Sequence, residues 1–270
     1  NFGEIFSRHS LCFCQKQQHI FMPPNSSFKS SKRFLLIRTD RIGDTILTLP
    51  VVSALRKKFP DAFIAFLSRS YALPLIKQYT GIDLLITYDP EGRHKGWKGI
   101  LRLSNELKEL NFQTAMLFYP RFELSFALFK AKIPFRIGTG FRWYSFFFNK
   151  LVFEHRRECK KHESEYNLTL LKTLIPGEII VPQYKFKEWI PEPWWKNFQK
   201  ELKSNNYVIV HAGSGNSAPN LDNSQYKLII HQLLKKTDWT ILLTGIFKEE
   251  KLIQDLAKNF PEERVIKTAG

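Results

Sequence analysis

The run Arg33-Phe34-Leu35-Leu36-Ile37-Arg38 is short, almost wholly apolar, and leads straight into the polar segment Thr39-Asp40-Arg41-Ile42-Gly43-Asp44-Thr45. An uninterrupted apolar run of this length, bounded by charge, fits a strand covered on both faces, the usual condition of a parallel sheet. Beyond it, Ile46, Leu49, Val52 and Leu55 recur at helical spacing across residues 45–58. That segment ends in Arg56-Lys57-Lys58, cations suited to a helix C-terminus, and Pro60 stops it. Strand, polar loop and helix make one β-α unit.

The unit repeats outward. Ala62–Leu67, Leu84–Thr87, Gln113–Tyr119 and Pro134–Gly138 read as further strands, and residues 71–79, 100–110 and 121–130 as helices, with Gly92–Gly99 a polar loop. This alternation predicts a parallel sheet with helices on both faces. Residues 162–174 read as a long helix, followed by a joint rich in Pro176, Gly177, Pro182, Pro191 and Pro193. A second series then begins: strand Tyr207–His211, a glycine-rich loop, helix 224–235, strand Thr240–Thr244, helix 247–259 and strand Arg264–Ile266. The expected fold class is α/β, two Rossmann-like doubly wound domains with a ligand cleft at the carboxyl ends of their strands. The expected bounds are a loose arm over 1–32, a first domain over 33–175, a linker over 176–193 and a second domain over 194–270. The chain opens on Asn1 rather than Met and stops just past a strand, so it reads as a fragment with an incomplete second domain.

Composition narrows the class. Apolar residues make up 43% and charged residues 24% of the 270, which excludes wholesale disorder. No run approaches the ~18 apolar residues of a spanning helix, and no segment reads as a signal peptide. Three cysteines, two of them as Cys12-Phe13-Cys14, build neither a disulfide scaffold nor a zinc site, and fit a reducing, cytoplasmic compartment. The 41 Lys and Arg against 25 Asp and Glu leave a charge of +16, which favours anionic partners.

Two loops carry candidate chemistry. In the first, Gly43 permits a tight turn, and Asp44 stands at the start of a helix whose dipole favours its ionised form. Such a carboxylate accepts a proton from an attacking hydroxyl; capping the helix is the plainer role. In the second, Val210-His211-Ala212-Gly213-Ser214-Gly215-Asn216-Ser217-Ala218, small residues let main-chain amides approach an oxyanion, and the next helix adds positive potential. A diphosphate suits it; a plain glycine turn is the alternative. It lacks the Gly-Lys-Ser/Thr ending of a P-loop and the Rossmann GxGxxG spacing.

Together, and in this order, the two loops point further. Arg38–Pro60 closely resembles the start of the bacterial heptosyltransferases of glycosyltransferase family 9. His211–Asn220 is similar to the family's His-Pro-Gly-Ser-Gly loop, Lys161–Leu168 to its linker helix, and Leu242–Gly245 and Arg264–Gly270 to later strands. The resemblance runs from about Arg33 to Gly270. It implies a GT-B architecture and inverting transfer of a heptose from ADP-heptose, or a similar nucleotide sugar, to a sugar hydroxyl of the lipopolysaccharide inner core. It further implies Asp44 as catalytic base and Ala212, Gly213, Ser214, Gly215, Asn216 and Ser217 as the nucleotide-sugar loop. No metal or other cofactor is implied. The acceptor is a lipid-linked anionic core oligosaccharide, expected at Arg41, Gly43, Arg121 and Arg142, with the protein peripheral on the inner-leaflet surface. One departure stands out: where the family carries a cation before an Asn-Trp pair, this chain reads Pro219-Asn220-Leu221. Lys227 is the nearest basic residue beyond it.

A band from Lys130 to His162 interleaves Lys130, Lys132, Arg136, Arg142, Lys150, Arg156, Arg157, Lys160 and Lys161 with Phe141, Trp143, Tyr144 and Phe146–Phe148. It reads either as a surface for phosphates and headgroups or as core phenylalanines beneath a solvated face. His162 reads as structural and Cys159 as inert. The competing reading to an enzyme is a non-catalytic homologue that binds a nucleotide or anionic glycolipid. Nucleic acid is not an expected partner, because no recognition module is present.

Overall fold

The structure, a computed structural model, describes residues 32–158, 160–181, 186–187, 195, 198–200, 202, 206–214 and 219–269. The chain divides into two compact units, with the break between residues 189 and 190. The arm expected over 1–32 lies outside the described residues apart from Lys32, as do Cys159 and most of the Pro-rich joint.

In the first unit, β1 (Arg33–Ile37) is followed by α1 (Ile42–Ile46), α2 (Leu49–Lys58), β2 (Phe63–Arg69), a short α3 (Leu73–Ile76) and β3 (Leu84–Tyr88). Then come α4 (Gly96–Glu109), β4 (Thr114–Leu117), α5 (Phe122–Lys130), β5 (Phe135–Thr139), β6 (Lys150–Val152) and α6 (Glu163–Lys172). The six strands are all parallel, in the order β3-β2-β1-β4-β5-β6. This is the doubly wound order of a Rossmann-like sheet. The apolar run of β1 is explained by its two covered faces. Leu35 and Ile37 pack with Leu103 and Leu107 of α4 and Leu124 and Leu128 of α5. Phe34 and Leu36 pack with Val52 and Leu55 of α2 and with Leu170 and Leu171 of α6.

Four local expectations are corrected. The single helix over 45–58 is two helices, broken at Leu47–Thr48. Pro50 near the start of α2 has no N–H to continue the α1 ladder. The helix over 71–79 is a 3-10 turn at Ser70–Ala72 running into the four residues of α3. Helix α4 begins at Gly96, inside the expected loop. Strand β6 was not anticipated: three residues amid basic ones carry no periodic signal, and pairing with β5 creates it.

Gly99 shows how closely the loop before α4 is folded. A Cβ there would lie 2.2 Å from the backbone carbonyl carbon of His94. His94 is buried, accepting from the Asp89 amide at Nδ1 (3.0 Å) and meeting Glu106 at Nε2 (3.2 Å). Backbone cannot step aside as a side chain can, so Gly99→Ala is expected to cost about 1–3 kcal/mol, read as a lowered urea midpoint. An unchanged midpoint would contradict this packing.

The second unit holds β7 (Tyr207–His211), α7 (Asn223–Lys236), β8 (Thr240–Gly245), α8 (Glu250–Ala257) and β9 (Val265–Ala269). Its three strands are parallel in the order β7-β8-β9. Ile230, Ile241, Leu243, Ile253, Leu256 and Val265 form its core. Among the described residues, no helix is long and apolar enough to cross a membrane.

Candidate functional site

Between β1 and β4 the strand connections turn in opposite directions, which opens a crevice at the carboxyl ends of the strands. Arg38, the first residue past β1, sits in that crevice and is 3% exposed. A buried guanidinium is costly unless paired, and four side chains pair it. Asp40 takes it bidentately (Nε–Oδ1 2.6 Å, Nη2–Oδ2 2.8 Å). Glu163 of α6 accepts from Nη1 at 3.0 Å, and Asn167, one turn further along α6, at 3.3 Å. Asp44 of α1 lies 3.4 Å from Nη2. Arg156 also donates to Glu163, and to Asn167 at 3.2 Å. Burial alone would depress the Arg38 pKa, but Asp40 and Glu163 outweigh it and raise it.

The cluster therefore sets three carboxylates against two guanidiniums. Asp44 has the longest contact and the most exposed side chain of the three, 31% against 11% for Asp40 and 25% for Glu163. Its pKa lies above the ordinary carboxylate value. Burial is the main cause, Asp40 and Glu163 add to it, and Arg38 opposes it. This corrects the expectation that a helix dipole favours the ionised form, since α1 has only five residues and its dipole is outweighed. Capping is corrected as well: Arg41 holds the N-cap position and Asp44 lies three residues inside. Gly43 is not in a tight turn either. It is helical, and a Cβ on it would meet no described atom within 4 Å.

The other residues expected to contact an acceptor share this edge of the sheet. Arg41 follows β1; Arg121, stacked over Tyr119 at 5.0 Å, follows β4; Arg142 follows β5; all three are exposed. His162 caps α6, accepting from the Ser164 amide while its own amide donates to Glu165. Arg38, Glu163 and Asn167 were quoted in the sequence only within longer segments, and Arg156 only in the basic band; none was expected at this site. Arg38 carried a signal, a cation closing a buried apolar strand with Asp40 two residues on. Glu163, 125 residues away, lay in the segment similar to the family's linker helix, but nothing local tied it to Arg38.

In the second unit, Ala212 is buried and His211 Nδ1 meets Thr244 Oγ1 at 2.9 Å, tying the ends of β7 and β8. Gly215, Asn216 and Ser217 lie outside the described residues. At Gly213 an added Cβ would overlap the Glu249 carboxylate, 1.9 Å from Oε1; that carboxylate accepts from the Ile246 amide at 3.0 Å. The start of α7, expected to lend positive potential, is occupied by Asp222. Its carboxylate accepts from the Gln225 amide at 2.9 Å, and hydrogen bonds from Ser224 and Gln225 hold its pKa low. Lys227 lies on α7 itself.

The basic, aromatic band splits between its two readings. Phe147 and Phe148 are buried, whereas Trp143 is 74% and Phe146 66% exposed. Arg136 is spent inward, on the carbonyls of Phe147 and Ile133. Lys161 pairs with Glu154 and Lys160 with Glu158. Lys130, Lys132, Arg142 and Lys150 are exposed.

No family model matches the chain. A protein of Haemophilus influenzae provisionally named a glycosyltransferase is 25% identical over 249 residues, covering 87% of this chain and 69% of that protein. Among solved structures, a glycosyl transferase family 9 protein of Veillonella parvula superposes with a TM-score of 0.72 at 18% identity, over 88% of this chain and 70% of its own. The ADP-heptose lps heptosyltransferase II of E. coli superposes with 0.68 at 17%, over 88% and 72%. The doubly wound parallel fold described above is the fold of these proteins.

Proposed function

We propose, for a chain that is a relative of the family 9 glycosyltransferases, that it moves a heptose from ADP-heptose to a sugar hydroxyl of the lipopolysaccharide inner core, with inversion. The observation that supports this most is Asp44: a half-open carboxylate at the switch point of a doubly wound sheet, with its pKa raised above the ordinary carboxylate value by burial. Inversion needs in-line attack by a hydroxyl on the anomeric carbon as the nucleoside diphosphate leaves. Asp44 accepts the hydroxyl proton, and a raised pKa makes it a better acceptor than a free carboxylate. Arg41, Gly43, Arg121 and Arg142 are assigned to the anionic acceptor. Gly43 fits because open space adjoins it. The loop Ala212–Ser217 is assigned to the diphosphate, whose growing charge main-chain amides stabilise.

Purified protein with ADP-heptose and a heptose-deficient core glycolipid tests the reading. Acceptor-dependent release of ADP is expected. Nucleotide binding without release would favour the non-catalytic homologue, which the missing cation at Pro219 motivates.

The acceptor is lipid-linked in this reading, so the exposed aromatics, with Lys130, Lys132, Arg142 and Lys150, are assigned to the anionic inner-leaflet surface. Trp143→Ala with Phe146→Ala is expected to weaken sedimentation with phosphatidylglycerol vesicles at least severalfold. Stability should change little, because both side chains are mostly exposed. Equal sedimentation of wild type and double variant would remove this assignment.

A further inference from the structure

The proton acceptor proposed above has a neighbour whose arrangement exceeds what folding requires. Arg38 is buried, yet one edge of its fork reaches Asp40 and the other reaches Glu163 and Asn167. Those groups come from two elements far apart in the chain, and they leave the guanidinium no freedom to turn. Nη2, already held by Asp40, is the Arg38 nitrogen that pairs with Asp44, at 3.4 Å. We propose that Arg38 is a positioning residue, its fixed guanidinium holding the Asp44 carboxylate toward the open side of the cluster, with Glu163, Asn167 and Arg156 of the α6 side as the clamp. The proposal rests on Asp44 as proton acceptor.

The geometry assigns opposite signs to its members. Arg38 favours the ionised form of Asp44, and Asp40 and Glu163 disfavour it. Among the described residues, further charged or titratable groups tied to the cluster are Arg156 from the segment before α6, Arg41 at the start of α1, and Tyr71 just past β2, which also feels Arg69. Tyr71 itself responds to Asp40 and Asp44. A fork fixed on two edges constrains direction as well as charge. Lysine supplies charge without the fork.

The test follows the Asp44 13Cγ resonance with pH, identified by its loss in Asp44→Asn, together with turnover of ADP-heptose. Arg38→Lys is expected to move the Asp44 midpoint up and to lower kcat about 100-fold, the cost of a misplaced reacting group, with KM for ADP-heptose unchanged. Glu163→Gln is expected to move the midpoint down. In the wild-type protein the Arg38 Nε–H resonance should shift with the Asp44 midpoint, which decides the matter even if Arg38→Lys does not fold. An Arg38 signal indifferent to Asp44, or midpoints unmoved in both variants with activity falling only as folded protein is lost, would reduce Arg38 to scaffold. Full turnover by Asp44→Asn would instead overturn the acceptor reading and leave the titration result standing.

Discussion

Replacing Asp44 by Asn is expected to lower sugar transfer by about 10²–10⁴-fold, the usual contribution of a positioned proton acceptor, while the variant folds at least as stably as the parent. The two halves of this expectation have separate causes. Asn keeps the size of the side chain but accepts no proton, so the attacking hydroxyl must lose its proton to water. Stability moves the other way because the folded pKa of Asp44 is raised, burial being the main cause. A carboxylate whose pKa is higher folded than unfolded binds protons more tightly in the fold. Folding is then favoured at pH below the unfolded pKa, and that advantage is lost as pH rises through the folded pKa. At neutral pH the ionised Asp44 therefore works against folding, and Asn removes the charge. A thermal melt beside an ADP-release assay checks both halves. A large fall in Tm accompanying the loss of activity would mean that Asp44 holds the fold rather than the proton.

Asn167→Leu is expected to cost about 3 kcal/mol of stability, the scale of several buried polar groups losing their partner. Asn167 is fully buried. Its amide nitrogen donates to the Leu47 carbonyl at 3.0 Å and to Thr48 Oγ1 at 3.2 Å, and its oxygen accepts from Arg38 and Arg156. Leu47 and Thr48 are the break between α1 and α2 that Pro50 imposes, so Asn167 satisfies a carbonyl that the interrupted ladder leaves over. Thr48 in turn donates to the Asp44 carbonyl at 2.9 Å. Leucine fills the space and offers none of these bonds. Urea unfolding should show a lower midpoint at an unchanged slope. A loss under about 1 kcal/mol would show that water or a repacked neighbour replaces the amide.

The first sheet was legible in the sequence because parallel strands buried on both faces read as short apolar runs, and β1, β2 and β4 are such runs; β3 alternates buried with half-buried positions, and β5 opens on an exposed Phe135. Helix α2 was legible in its apolar stripe and basic end, but its start was not: Pro50 lay in plain view within a continuous helical pattern. The three residues of β6 draw their strand character from β5 alone. Asp44 stood out in the sequence through its loop, yet its electrostatics were misjudged. A local reading supplies the dipole of α1, whereas the contribution that wins comes from burial beside Asp40 and from Glu163 across the fold. In the second unit the glycine loop was visible, but the start of α7, expected to lend positive potential, is capped by Asp222. The Glu249 carboxylate against Gly213 comes from a segment with no local link to that loop.

The central claim is that the ionised Asp44 carboxylate takes the acceptor's proton, and the pH dependence of acceptor-dependent ADP release tests it most directly. Because the base works only when ionised and its pKa is raised, the rate should fall on acidification along a limb shifted upward from that of an ordinary carboxylate, and Asp44→Asn should abolish that limb with the rate. Transfer by Asp44→Asn at the wild-type rate, or with the limb still in place, would contradict the account.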